Sequence, residues 1–145
     1  MLISGCLAGL PVRFDGRAKP LIHLEELAEN WILVPICPEI LGGMGIPRSR
    51  CRFYGGDGQA VLDGKATILD ENGVDRTKFF IKGARAVLQI VKLVSPELIL
   101  LKEGSPSCGV QRVDVEGARH QGMGVTTAML KPLGIPIISE EDPLP

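Results

Sequence analysis

The sequence predicts an α/β fold, a single three-layer domain in which helices cover both faces of a mainly parallel sheet and a small β-hairpin is inserted. Short apolar runs alternate with amphipathic segments along the chain, which is typical of parallel strands joined by helical crossovers. Hydrophobic residues make up 45% of the sequence and aromatic residues only 4%, so we expect an aliphatic core. The 145 residues match the length of one ordinary domain, and no shift in composition suggests a second domain within residues 1–145.

A β-α-β unit opens the chain. Leu2–Leu7 and Trp31–Ile36 are short apolar runs that end shortly before Gly or Pro residues, as buried strands do where they enter loops. Between them, Leu21–Asn30 has apolar residues three and four positions apart and acids on the other face, which predicts an amphipathic helix.

The middle of the chain interrupts this alternation. Residues 42–58 are rich in Gly and Arg and predict a long irregular loop, a feature that in compact domains is usually functional or disordered. Val61–Ile68 predicts the small hairpin, because Asp63-Gly64 is a pair that a type I′ turn favours. We expect this hairpin to be an insertion in the α/β domain.

The second half returns to helices and strands. Asp75–Val94 has a wide apolar face and predicts the longest helix, and the apolar run Glu97–Leu101 predicts a third buried strand. After a polar loop, Gly122-Met123-Gly124 predicts the start of a short helix that ends at about Leu130. Ile135–Ile138 predicts the last strand.

Charge and hydropathy exclude two classes of function. Sixteen Lys and Arg against seventeen Asp and Glu give a net charge of −1, which disfavours general nucleic-acid binding and a polybasic membrane anchor. No apolar stretch reaches the roughly 18 residues of a membrane span, and the start does not resemble a secretory signal. We therefore expect a cytoplasmic protein, whose cysteines serve metal binding or catalysis rather than disulfides.

Three of the four cysteines come at or just after the ends of predicted strands: Cys6, Cys37 and Cys108. Because the carboxyl ends of parallel strands share one edge of a sheet, we expect these thiols to converge on one site. A zinc site completed by Cys51 would be closed and structural, whereas three protein ligands leave one metal position open. The spacing leaves zinc and an iron–sulfur cluster as alternatives, although the wide separation favours the larger group.

Other polar residues are predicted at the same edge. Glu39 follows the second cysteine by two positions and is a candidate general base. The hydroxyls of Ser105 and Ser107 are candidate donors to a substrate or to cluster sulfur, and Arg13 and Arg48 are candidates to orient a polar substrate. Each residue also has an ordinary structural interpretation, as a solvated turn acid, a turn or cap serine, or half of a salt bridge.

Four strings occur in order between residues 2 and 140. They are Ser4-Gly5-Cys6-Leu7-x-Gly9 with Arg13-Phe14-Asp15-Gly16, Cys37-Pro38-Glu39-x-x-Gly42-Gly43 with Pro47-Arg48, Ser105-Pro106-Ser107-Cys108-Gly109, and Gly122-x-Gly124-Val125-Thr126. Together these strings resemble the thiouracil desulfidase-like family, long described as a domain of unknown function.

The resemblance implies a Rossmann-like domain with a [4Fe-4S] cluster on three cysteines, here Cys6, Cys37 and Cys108. It implies non-redox removal of sulfur from a thiolated pyrimidine such as 2-thiouracil, giving uracil and hydrosulfide. Where the family usually has an acidic residue shortly after Pro-Arg, this chain has Cys51-Arg52. Cys51 lies outside the matched strings, so we expect it not to be a ligand.

The resemblance also assigns roles to the polar residues. Glu39 corresponds to the acid of the family's Cys-Pro-Glu motif, and Ser105 and Ser107 correspond to its paired serines. We therefore expect Glu39 and Ser105 to be catalytic, and Arg13, Arg48 and Ser107 to bind the substrate, a small thiolated base or nucleoside. Two alternatives stay open: a non-enzymatic metal- or cluster-binding protein, and a cluster-dependent hydro-lyase that activates a hydroxyl group.

Overall fold

The computed structural model describes all residues, 1–145, and contains two four-stranded sheets. The strands are β1 (Leu2–Ser4), β2 (Val34–Ile36), β3 (Cys51–Tyr54), β4 (Thr67–Asp70), β5 (Ile99–Leu101), β6 (Arg112–Val115), β7 (Ala118–Gln121) and β8 (Ile137–Ser139). The helices are α1 (Leu24–Asn30), α2 (Pro38–Leu41), α3 (Gly58–Leu62), α4 (Thr77–Val94) and α5 (Val125–Leu130), with a 3₁₀ turn over Lys131–Leu133.

The first sheet confirms the predicted α/β class and the mainly parallel sheet. Its order is β2-β1-β5-β8, and every pairing is parallel. The two central strands, β1 and β5, are buried along their whole length, as strands covered on both faces are. β1 is shorter than the predicted Leu2–Leu7, because the chain turns after Ser4, whose carbonyl accepts the N–H of Leu7 at 2.9 Å.

Helix α4 connects the two sheets. Its N-terminal half, with Phe80 and Ala84, packs in one apolar cluster with Phe53 and Ile68 of the second sheet. Its C-terminal half packs with the first sheet through Val87 and Val91. With 18 residues it is the longest helix, as predicted, and none of the helices is both long and apolar enough to cross a membrane.

Two glycines bring α2 against α4 at backbone distance. A Cβ added to Gly83 would lie 1.9 Å from the carbonyl oxygen of Pro38, and one added to Gly42 would lie 2.1 Å from that of Phe79. Only glycine fits at either position without displacing a helix backbone. This close crossing fixes α2, the helix at whose start the Cys-Pro-Glu string lies.

The second sheet has the order β4-β3-β6-β7 and is mixed, since only β3 and β6 pair in parallel. The position predicted for the hairpin, Val61–Ile68, is wrong. Gly58–Leu62 forms α3, and Asp63-Gly64 ends that helix, with Gly64 at φ +74°. A glycine with positive φ closes a helix as readily as it makes a hairpin turn, so the pair did not discriminate between them.

Three further strands lie in segments that the sequence did not predict as strands. β3 occupies residues 51–54, within the predicted irregular loop, and pairs antiparallel with β4. β6 and β7 form a hairpin around Glu116 and Gly117, at φ +54° and +87°, the positive angles that a type I′ turn requires. The hairpin insertion is thus a larger element than the sequence suggested.

Candidate active site

A cavity of about 420 Å³ opens at the carboxyl ends of β1, β2 and β5, and all four cysteines contribute to its wall. Every residue predicted for the site lines this one cavity. These residues are Cys6, Cys37, Cys108, Glu39, Ser105, Ser107, Arg13 and Arg48.

The strand ends account for the position of three thiols. Cys6 lies in the turn after β1 that the hydrogen bond from Leu7 to Ser4 closes, and Cys37 directly follows β2 as the N-cap of α2. Cys108 lies in the loop that leaves β5. We call Cys6, Cys37, Glu39 and Ser105–Cys108 the thiol wall.

The thiol wall favours neutral thiols. No cysteine forms a disulfide. Burial raises the pKa of Cys6, partly offset by the nearby Arg13 guanidinium, and burial also raises the pKa of Cys37 and, further, that of Cys108. A buried thiolate needs a cationic partner, and thiolates are the ligands that zinc and iron–sulfur clusters prefer.

The donor set consists of free thiols, a ligand type that suits both zinc and iron–sulfur clusters. No group of three or more His, Cys, Asp or Glu side chains in the structure is arranged to hold one metal ion. The thiols instead come from three different strand ends around a shared cavity.

Glu39 is held on both of its carboxylate oxygens. Arg48 Nε donates to Oε2 at 2.6 Å, and Ser107 Oγ donates to Oε1 at 3.1 Å. The other guanidinium nitrogens of Arg48 donate to the carbonyls of Gly45 at 3.2 Å and Val12 at 2.9 Å. Arg48 is anchored on two backbone carbonyls while its Nε donates to the carboxylate, so its geometry indicates that it orients Glu39. Its predicted contact with substrate stays a prediction.

The Ser-Pro-Ser-Cys loop is fixed by its own backbone and by α5. Ser105 Oγ accepts the N–H groups of Ser107 at 3.1 Å and Cys108 at 3.2 Å, which leaves its hydroxyl proton free to donate. From α5, Thr127 Oγ1 donates to the carbonyl of Cys108 at 3.0 Å. A Cβ at Gly124 would lie 2.4 Å from the carbonyl oxygen of Ser107, so α5 begins against this loop.

Basic side chains form another part of the cavity lining. Arg13, Lys19, Arg50 and Arg119 line it without forming any salt bridge, and we call these four residues the cation rim. Sequence reasoning identified only Arg13 among them. Arg119 was missed because it lies on β7, in a segment predicted as a polar loop. The alternation of Val113 and Val115 was a local signal for β6, the strand that precedes β7.

Cys51 also lines the cavity. Because it lies outside the matched strings, the sequence did not indicate this position. It begins β3 in the second sheet and packs in that sheet's apolar cluster, whereas the other three cysteines follow strands of the first sheet. Burial, and then the neighbouring Glu39 carboxylate, raise the pKa of Cys51 to about 12. That it is not a ligand stays a prediction.

Comparison with known proteins identifies the family of this chain. The 2-thiouracil desulfurase family matches residues 1–142. The solved structure of TudS, a [4Fe-4S]-dependent thiouracil desulfidase, is 35% identical and superposes with a TM-score of 0.83 over 97% of this chain and 90% of that chain. An uncharacterized protein of Bacillus subtilis (strain 168), YbbK, is 36% identical over 145 residues, 98% of this chain and 96% of its own length. The resemblance found in the sequence strings is therefore confirmed, and the chain belongs to the 2-thiouracil desulfurase family of enzymes.

Proposed function

We propose that this enzyme replaces the sulfur of a thiolated pyrimidine, such as 2-thiouracil, with oxygen from water, using a [4Fe-4S] cluster on Cys6, Cys37 and Cys108. Family membership supports the reaction, and the similarity to a [4Fe-4S]-dependent desulfidase supports the cluster. The observation that carries the proposal is the shared cavity, in which three free thiols and the Glu39 carboxylate face one space. We further propose that residues 1–145 act as one domain in the cytoplasm.

The reaction balances without an electron donor. Thiouracil and water give uracil and hydrogen sulfide, which leaves as hydrosulfide and a proton, and the oxidation state of the carbon does not change. When bound on three cysteines, the cluster supplies an iron that lacks a cysteine ligand and acts as a Lewis acid on the C=S bond.

Glu39 is the base in this proposal. Its carboxylate takes a proton from the attacking water as oxygen bonds to the thiolated carbon. Arg48 and Ser107 donate to opposite oxygens of the carboxylate, so the side chain is oriented before the substrate enters. Ser107 Oγ keeps a lone pair for a ring N–H, which is compatible with its predicted contact with substrate.

Ser105 and Arg13 complete the proposed substrate contacts. The Ser105 hydroxyl proton has no acceptor in the protein and is available for an exocyclic oxygen of the ring. Arg13 faces the same cavity without a salt bridge and is available for a second polar atom of the base. These contacts select for a small polar ring.

Anaerobic reconstitution with iron and sulfide tests the proposal. We expect about one [4Fe-4S] cluster per chain, followed by release of equal amounts of uracil and hydrosulfide from 2-thiouracil. Loading without hydrosulfide release, but with water release from a hydroxy acid, would identify the hydro-lyase alternative. Failure to load any cluster contradicts the proposal outright.

The same assay determines the form of the substrate. Comparison of kcat/KM for 2-thiouracil and for its ribonucleoside distinguishes a free base from a nucleoside. The reconstituted protein without substrate gives the background rate of sulfide loss from the cluster itself.

A further inference from the structure

One buried carboxylate that lines the cavity, Glu103, has no role in the proposed chemistry. Glu103 lies two residues after the end of β5 and is 5% exposed. It forms no salt bridge with any Lys, Arg or His. A buried charge without a cation needs strong hydrogen bonds to persist.

Backbone N–H groups provide these bonds. Glu103 Oε1 accepts from Gly104 at 3.0 Å, Val110 at 2.9 Å, and Arg112 at 3.2 Å. Both carboxylate oxygens accept from Gln111 at 3.2 Å. One side chain therefore receives four backbone donors, and a carboxylate strengthens each of these bonds relative to a neutral acceptor.

These donors lie at the two ends of a single loop. Gly104 begins it and Val110–Arg112 end it, so the Glu103 carboxylate ties both ends together. The residues enclosed between them include Ser105, Ser107 and Cys108. The backbone N–H of Glu103 itself donates to the Glu140 carboxylate at 2.8 Å, which helps to fix the position of Glu103.

We propose that Glu103 is a positioning residue, whose carboxylate holds the Ser105–Cys108 loop so that Ser107 Oγ donates to Glu39. The loop reaches Glu39 through that one side-chain hydrogen bond, of 3.1 Å, and a loosened loop would break it. The catalytic consequence rests on the proposed function. The proposal that Glu103 holds the loop does not rest on that function, and it can be measured on the chain without a cluster.

Glu103→Gln is the direct test, because it keeps the volume and one carbonyl oxygen but removes the charge. We expect backbone amide hydrogen exchange at Val110–Arg112 to become about tenfold faster in the metal-free protein. The reason is that these N–H groups would then donate to a neutral amide oxygen instead of a carboxylate. In the reconstituted enzyme we expect kcat to fall about tenfold because the orientation of Glu39 is lost, and KM to rise because the proposed substrate contacts of Ser105 and Ser107 lie on the same loop.

Asp70→Asn is the control, at a buried carboxylate that differs from Glu103 in also pairing with Arg76 at 3.1 Å. Asp70 is also 5% exposed and accepts the backbone N–H groups of Asn72 and Val74 at 2.9 and 3.0 Å, but it does not line the cavity. We expect faster exchange around residues 72–74 and unchanged kcat. If Glu103→Gln does not fold, Glu103→Asp replaces it, since it keeps the charge but withdraws it from part of the loop.

Three results would overturn the inference. Exchange at Val110–Arg112 equal to wild type would show that the carboxylate does not hold the loop. Faster exchange with unchanged kcat would separate the loop from catalysis, and faster exchange over the whole chain would mean a general loss of stability. If wild type releases no hydrosulfide from any thiolated base, the proposed function fails, while exchange still decides whether Glu103 holds the loop.

Discussion

The thiol wall and the cation rim line the same cavity but are built differently. In the thiol wall, Ser107 and Cys108 are 2% and 5% exposed, and side-chain hydrogen bonds tie the wall to its own backbone, to α5 and to Arg48. In the cation rim, Arg50 and Arg119 are exposed and form no salt bridge. The contrast predicts that substitutions in the thiol wall act on cluster and turnover, whereas those in the rim produce small, graded changes in substrate binding.

The largest effect is expected when a ligand is removed. Cys6→Ala, Cys37→Ala and Cys108→Ala should each prevent assembly of a complete cluster and abolish turnover, because each removes one of three thiolates. Cys51→Ala is the matched control, a buried cysteine of the same cavity, and should keep cluster content and kcat close to wild type. Iron and acid-labile sulfide per chain, measured without oxygen, check both expectations. An empty Cys51→Ala protein, or a fully loaded Cys6→Ala protein, would contradict the ligand set.

The next effect concerns Glu39, the proposed base. Glu39→Gln should retain the cluster but lower kcat by about 10²–10⁴-fold, the range typical of losing a general base. The amide still accepts from Ser107 or Arg48, so a loss of turnover reports the loss of basicity rather than collapse of the wall. Hydrosulfide release at saturating substrate is the measurement. Wild-type kcat in a loaded Glu39→Gln enzyme would remove Glu39 from this role.

A third prediction compares two arginines of the same cavity. Arg48 has an 8% exposed side chain and donates through three nitrogens, whereas Arg119 is exposed and has no ion pair. Lys cannot reproduce the planar guanidinium fork, so Arg48→Lys should lower kcat about tenfold by misorienting Glu39. Arg119→Lys should leave kcat within about twofold, since an exposed charge is retained. Equal losses of kcat in the two variants would contradict the distinction between the thiol wall, to which Arg48 is bonded, and the cation rim.

The same contrast explains what the sequence could predict. The strand-end positions of Cys6 and Cys37 follow from local apolar runs that stop at Gly or Pro, a pattern visible in a few residues. The first sheet and the convergence of thiols on one cavity could therefore be predicted. The rim residue Arg119 depends on a hairpin whose turn includes Glu116 at positive φ, and a non-glycine residue there gives little local signal.

Long-range hydrogen bonds account for the rest of what was missed. Glu103 directly follows Lys102 in the sequence, but its carboxylate binds backbone N–H groups up to nine residues later. Backbone donors have no sequence signature, so no motif distinguishes this acid from a solvated one. Arg48 similarly contacts Val12, 36 residues earlier, and only the folded chain shows that its nitrogens are occupied.

The smallest effect is expected at the rim. Arg119→Ala should raise KM by no more than about fivefold and leave kcat and cluster content unchanged, because even an exposed ion pair contributes only about 0.2–1 kcal/mol. The increase should shrink as salt is added, since mobile ions screen exposed charges within about 10 Å at 0.1 M ionic strength. Measuring KM for 2-thiouracil in wild type and Arg119→Ala at low and high salt gives four values, and the two enzymes should converge at high salt. A fall in kcat, or a KM difference that salt does not reduce, would mean that Arg119 acts on the thiol wall and that the cavity is not divided in this way.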